Sequence, residues 1–142
     1  MHNCAEEIKM LIHTWHTCAS EEAPINHQAH HVVPSNVAEK SILHQEAIKR
    51  GLYDVDRPSN GKFLAETDED FVPISEPYPT HFGSHPKYDD AINSAIDDIL
   101  INNRINKNAI SELDDVTIQN LVDEIEDASL DILESWRPWK LN

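Results

Sequence analysis

The sequence predicts an α+β fold that is mostly helical. Three observations point there: four segments carry apolar residues at helical spacing, two short runs between them suit strands, and Pro, Gly, Ser or Asp punctuate the boundaries. In the first helical segment, residues 5–20, Ile8, Leu11, Ile12, Trp15 and Ala19 repeat at intervals of three and four. Pro24 breaks it. Ala29 to Val33 is short and partly β-branched, as expected of a strand or extended arm ending at Pro34. Ser35 or Asn36 then caps a helix over 36–50, with Glu39 as capping partner. That helix is expected to bury Ile42, Leu43 and Ile48 and to stop at Gly51.

Asn60-Gly61 is a turn signal before a short strand, Lys62 to Ala65. Thr67 to Pro79 is acidic, proline-bearing and aperiodic, hence a loop. Pro86 fits only the first turn of a helix, so the next helix starts near Ser84 or His85. Tyr88, Ala91, Ile92, Ala95, Ile99 and Leu100 carry it to about 102. The asparagine-rich stretch 102–108 is a break. A last helix begins at Asp114 or Asp115, with Ile118, Leu121, Val122, Ile125, Ala128, Ile132 and Leu133 as its apolar stripe. The length of 142 residues fits one domain: an N-terminal helix within 1–23, a core over 24–108 and an acidic C-terminal helix over 109–142.

Composition bounds the function. No apolar run approaches the roughly 20 residues that cross a bilayer, so no membrane partner is expected. Glu6, Glu7, Lys9 and His13 interrupt the N-terminal apolar residues, against a cleavable signal peptide. Cys4 and Cys18 would lie about 21 Å apart on one helix, too far for a bridge. They read as free thiols. The formal net charge is -15, from 11 basic and 26 acidic side chains. A nucleic-acid binder normally carries an excess of Lys and Arg. Nearly half of the acidic excess, however, falls in residues 109–142, and a bound divalent cation would reverse the local sign in the core.

Three features follow one another in the core: His30-His31, Asn60-Gly61, and His81 with His85. Imidazole is the commonest side-chain metal ligand and titrates near neutrality. Two adjacent histidines on extended backbone point to opposite faces, so one can hold a metal while the other faces a substrate water. Phosphodiester hydrolysis needs that division: a base for the water and a cation at the phosphate. His81 and His85 have i,i+4 spacing, although Pro86 places His81 ahead of the regular helix. From His85 the i+4 neighbour is Asp89, a competing ligand. Taken singly these features have ordinary readings: a surface histidine pair, a hairpin turn, a structural HxxxH. The order of the three is what carries weight.

The segments AHHVVP, GLYDVDRPSNGKFL and HFGSHPKYDDAINSAI resemble the AHH family, a branch of the HNH and endonuclease VII superfamily of nucleases. The resemblance covers about residues 26–100. It implies a ββα-metal core, two short strands and a helix clamping one divalent ion (Mg, Mn, Ni or Zn), with helical extensions on both sides. By the same resemblance His30 is a metal ligand and His31 the general base. Asn60 fixes the second strand against the first and orients the base. His85, with His81 or Asp89, completes the metal site. Lys62 and Lys87 are candidates for phosphate contact, with Lys40, Lys49, Arg50 and Arg57 as further nearby cations, and Tyr88 either contacts a phosphate or packs.

The resemblance also implies a nucleic-acid substrate, DNA before RNA, and a bacterial toxin or effector module. Such a module is made in the bacterial cytoplasm, delivered into target cells by a secretion system, and accompanied by a cognate immunity protein. The rival reading is a non-enzymatic acidic interaction protein, an immunity or adaptor protein that binds a basic partner. Its support is the charge and the acidic last helix, whose carboxylates would bind that partner or cover a nucleic-acid groove.

Overall fold

The computed structural model describes residues 27–65, 80–81, 86–135 and 140–141. The N-terminal segment with Cys4 and Cys18, and the acidic stretch 66–79, lie outside the described residues. In chain order the elements are β1 (His27–His31), α1 (Ser35–Lys40), α2 (Ile42–Lys49), a 3-10 turn (Pro58–Asn60), β2 (Gly61–Ala65) and β3 (Thr80–His81). They continue with α3 (Pro86–Asn102), a second 3-10 segment (Lys107–Glu112), α4 (Asp115–Ser135) and β4 (Lys140–Leu141). The fold is mostly helical α+β, as the periodicities predict.

β1 and β2 pair antiparallel, with His30 opposite Lys62 and His31 opposite Gly61. The two strands are joined through both short helices rather than by a hairpin. Asn60 therefore closes a 3-10 turn and Gly61 is extended, with φ -113 and ψ 135, which corrects the turn expected at Asn60-Gly61. The first strand also lies two residues earlier than expected. Val32 and Val33 have left the ladder, and their backbone groups face Asn60 instead. β3 runs beside both strands of this ribbon and pairs in parallel with β4. Neither β3 nor β4 was foreseen, because two residues are too few to show a period.

The helix expected over 36–50 is broken at Ser41, whose backbone is extended at φ -78 and ψ 121. Serine competes with helix by bonding its own backbone neighbourhood. Here the Ser41 hydroxyl accepts from the His44 N–H and lies 2.7 Å from His44 Nδ1, capping α2 afresh. Pro34, not Ser35 or Asn36, occupies the cap position of α1, and no side chain caps it. The break rotates α2, so Leu43, His44 and Ala47 face the core while Ile42 and Ile48 are exposed. Gly51 ends the helix as predicted, at φ 73, where a side chain would be strained.

α3 and α4 pack against each other, and α2 packs on α4. Their buried faces join Val33, Val37, Ala38 and Leu64 in one core with Tyr88, Ile92, Ile96, Ile99 and Leu100 of α3. From α4 come Ile118, Leu121, Val122, Ile125 and Leu133. Asp114 caps α4 by accepting from the Thr117 N–H, and hydrogen bonds from the Thr117 side chain and backbone lower its pKa.

Two arginines tie the layers together. Arg50 donates to Glu46 within α2 and to the Ser111 and Leu113 carbonyls and the Asp115 carboxylate at the entrance to α4. Arg57 lies over the Tyr53 ring, 4.8 Å from its centroid, and donates to Glu126 at 2.8 Å and Asp123 at 3.0 Å on α4. Both were candidates for phosphate contact. Both are committed inside the protein.

Burial holds the His44 imidazole down to about 4 from 6.5, with the Arg57 charge adding to the effect. The unfolded chain therefore binds a proton between those values that the folded chain refuses. Stability conferred by this group is complete above pH 6.5 and drains away as pH falls toward 4, by up to roughly 3 kcal/mol. Urea melts of the wild type and His44→Leu across that window should show the wild type losing stability more steeply. Parallel curves would contradict the assignment.

Candidate nuclease site

The site begins with β1. Its alternation sends the two adjacent imidazoles to opposite sides. His30 is 2% exposed and meets the Tyr88 ring edge-on, with centroids 5.3 Å apart. His31 is 26% exposed, and its Nε2 lies 2.7 Å from Oδ1 of Asp56.

Asn60 fixes the end of that strand. Its amide is fully buried and makes three hydrogen bonds. Oδ1 accepts from Val33 N–H at 2.8 Å, and Nδ2 donates to the carbonyls of Val33 at 3.0 Å and Val55 at 2.9 Å. Its backbone carbonyl accepts from Val32 N–H at 2.8 Å. One side chain thus clamps the end of β1, the loop before the 3-10 turn and the start of β2.

α3 brings the next candidates. Tyr88 is fully buried, and its hydroxyl donates to the Val32 carbonyl at 2.6 Å. Burial and the nearby Asp89 charge push its ionisation up, so the hydroxyl stays a donor. Of the two roles left open to Tyr88 by sequence, packing is what this geometry supports: the ring forms the floor under His30. Asp89 is half-buried and accepts from the Asn36 amide at 2.8 Å, which links α1 to the first turn of α3. Lys87 is exposed on the same turn, and Lys62 is partly exposed opposite His30 on the ribbon.

The backbone of His81 lies in β3 beside the ribbon, so the three motif segments converge. The His81 side chain and the whole of His85 lie outside the described residues. Among the described residues no three His, Cys, Asp or Glu side chains form a group that could hold a metal ion. The described donors that suit one are the His30 imidazole and the Asp89 carboxylate, nitrogen and oxygen ligands of the kind divalent ions take.

Over residues 16–125 the sequence matches the AHH family, described as a nuclease family of the HNH/ENDO VII superfamily with conserved AHH. The chain belongs to that family. As an AHH nuclease it is a hydrolase that binds nucleic acid, and its superfamily generally uses a divalent metal. No curated protein and no solved structure gives a match. Among the described residues no helix is long and apolar enough to cross a membrane.

Asp56 is the site residue that sequence reasoning missed. It stands in the run Asp54-Val55-Asp56-Arg57, where two carboxylates look alike, and it meets His31 only through the fold. Of two clefts elsewhere, the one of about 290 Å³ beside Tyr53 and Val55 is lined by none of the candidate residues, and the one of about 230 Å³ between Ser41 and Asn93 only by Lys40.

Asn60→Asp tests the clamp. A carboxylate still accepts from Val33 N–H but turns acceptors on the carbonyls of Val33 and Val55. The loss of two buried donors should cost at least about 3 kcal/mol in chemical denaturation. A change below about 1 kcal/mol would show that the amide does not organise the site.

Proposed function

We propose that this AHH nuclease is a metal-dependent endonuclease acting on DNA as a bacterial toxin or effector module, with His31 as general base and His30 as a metal ligand. The observation that carries the assignment is the split of the two imidazoles, one sealed against Tyr88 and one at the surface within reach of solvent. A buried imidazole suits a ligand, which must be held still. A half-exposed one suits a base, which must meet a water and give up its proton afterwards.

The residues divide the work as follows. His31 accepts a proton from a water, whose oxygen forms a new bond to phosphorus as the bond to the leaving oxygen breaks. The leaving oxygen takes its proton from solvent. Asn60 keeps β1 in the conformation that separates His30 from His31. His30 and Asp89, with His81 or His85, would hold the divalent ion, which when bound supplies Lewis-acid stabilisation of charge at the phosphate. Lys87, exposed on the first turn of α3, and Lys62, partly exposed opposite His30 on the ribbon, can meet neighbouring phosphates.

With Arg50 and Arg57 committed internally, few cations remain for the nucleic-acid backbone, and nothing described resembles a groove-reading helix. The reading therefore includes little sequence preference. It also includes a cognate immunity protein, which a toxin of this class requires in the cell that makes it.

Purified protein incubated with supercoiled plasmid and with RNA, across Mg, Mn, Ni and Zn, should nick the plasmid in at least one metal. His31→Ala should lower turnover by about 100-fold or more while metal affinity stays nearly intact, and His30→Ala should weaken both. Full activity in His31→Ala would remove the base assignment. RNA cut in preference to plasmid would change the substrate.

A further inference from the structure

The contact between His31 and Asp56 says which nitrogen of the imidazole does the work. A neutral imidazole has one N–H donor and one lone-pair acceptor, whereas an ionised carboxylate only accepts. With Oδ1 of Asp56 at 2.7 Å from Nε2, the ring proton belongs on Nε2. Resting on the nuclease reading of this same site, we propose that Asp56 is a positioning residue. It fixes His31 as the Nε2–H tautomer and sets the ring's direction, which puts the lone pair that accepts the water's proton on Nδ1.

The loop around Asp56 is built to hold that carboxylate in place. Its own N–H donates to Oδ1 of Asp54 at 2.8 Å. On one side, the Val55 carbonyl is held by the buried Asn60 amide. On the other, Arg57 is anchored to Glu126, Asp123 and the Tyr53 ring. The Arg57 N–H also donates to the Asp54 carbonyl at 3.0 Å, and the Asn60 N–H to the Arg57 carbonyl at 2.9 Å, so the turn is closed by its own backbone. Asn60 therefore restrains both members of the pair, through Val33 next to β1 and through Val55 next to Asp56.

An incidental surface ion pair between mobile side chains contributes little and orders nothing. This carboxylate differs because its backbone is pinned on both flanks, although it is itself 31% exposed. When His31 takes up the water's proton at Nδ1, the ring carries N–H groups on both nitrogens and a positive charge. Asp56 then faces that charge across a hydrogen bond already made, so no reorganisation is needed at the moment of transfer. The proton stays on the imidazole and the carboxylate remains ionised throughout. A carboxylate that orients an imidazole in this way is a recurring solution to fixing a tautomer.

The test uses the full chain and two independent readouts. Nitrogen-15 imidazole spectra of the wild type at mildly alkaline pH, with the His31 signals assigned by their loss in His31→Gln, should show the Nε2–H tautomer. In Asp56→Ala the signals should move toward a mixture of tautomers. In plasmid nicking, Asp56→Ala should lower kcat by about 100-fold with KM nearly unchanged, because it leaves the phosphate contacts in place. Its metal affinity, measured by titration, should match the wild type. Thermal melting confirms that the variant is folded.

A wild-type spectrum with the proton on Nδ1 would overturn the proposal, as would an undiminished kcat in Asp56→Ala. Loss of metal affinity in Asp56→Ala comparable to His30→Ala would make Asp56 a ligand instead, which also overturns it. Absence of cleavage by the wild type under every metal would overturn the nuclease reading and remove the tautomer's role with it. The tautomer spectrum still separates that failure from a wrong assignment of the His31–Asp56 contact.

Discussion

The buried amide of Asn60 is the constraint on which the rest of the site depends. An asparagine side chain offers one acceptor and two donors, and this one uses them across two segments that approach only in the folded chain. In a low-dielectric interior such bonds are directional, and a missed partner is costly. Wherever Asn60 goes, the end of β1 and the 53–60 loop must follow. That places His30 over Tyr88 and His31 against Asp56, and it joins the ribbon to the helices through Val32, whose carbonyl receives the Tyr88 hydroxyl. The clamp is a local device with consequences on both faces of the strand.

The acidity of the chain finds its explanation in the same architecture. Arg50 and Arg57 act as internal ties, each collecting acceptors from α4 or its entrance, and apart from Glu46 the carboxylates they meet belong to the acidic C-terminal part. Part of the negative excess is therefore structural pairing. Glu126 is a buried carboxylate, and without Arg57 it would be an uncompensated charge. The remaining carboxylates on α3 and α4 lie largely on exposed positions, a solvated face. On the proposed reading, an excess of negative charge and a nuclease site are compatible, because attraction for phosphate would rest on a few lysines and a bound cation rather than on the net charge of the protein.

Helix existence was legible in the sequence because it depends on neighbours three and four residues apart. The stripes of α3 and α4 are buried nearly as read, with Tyr88, Ile92, Ile99 and Leu100 on one and Ile118, Leu121, Val122, Ile125 and Leu133 on the other. Ile96 is buried as well, whereas Ala91 and Ala95 of the expected stripe are only half-buried. The error over 36–50 has a single cause. The expected helix runs straight through Ser41, whose hydroxyl instead caps a new helix. The resulting rotation put His44 inside and Ile42 and Ile48 outside, the reverse of what hydrophobicity alone suggests.

By itself the sequence determined which residue types stand in which order: the histidine dyad on extended backbone, the asparagine after it, and the helix opening at Pro86. That order carries the family membership, since it is a property of linear spacing. Tertiary structure decided partnership. It chose Asp56 over Asp54 for His31, closed Asn60 on Val33 and Val55, and tied two arginines to acceptors at α4 and its entrance. Apart from the Asn60–Val55 bond, these choices join residues 25 to 69 positions apart. Short-range periodicity holds no information about them, because a side chain's partner is fixed by how whole elements pack and not by the residues beside it in the chain.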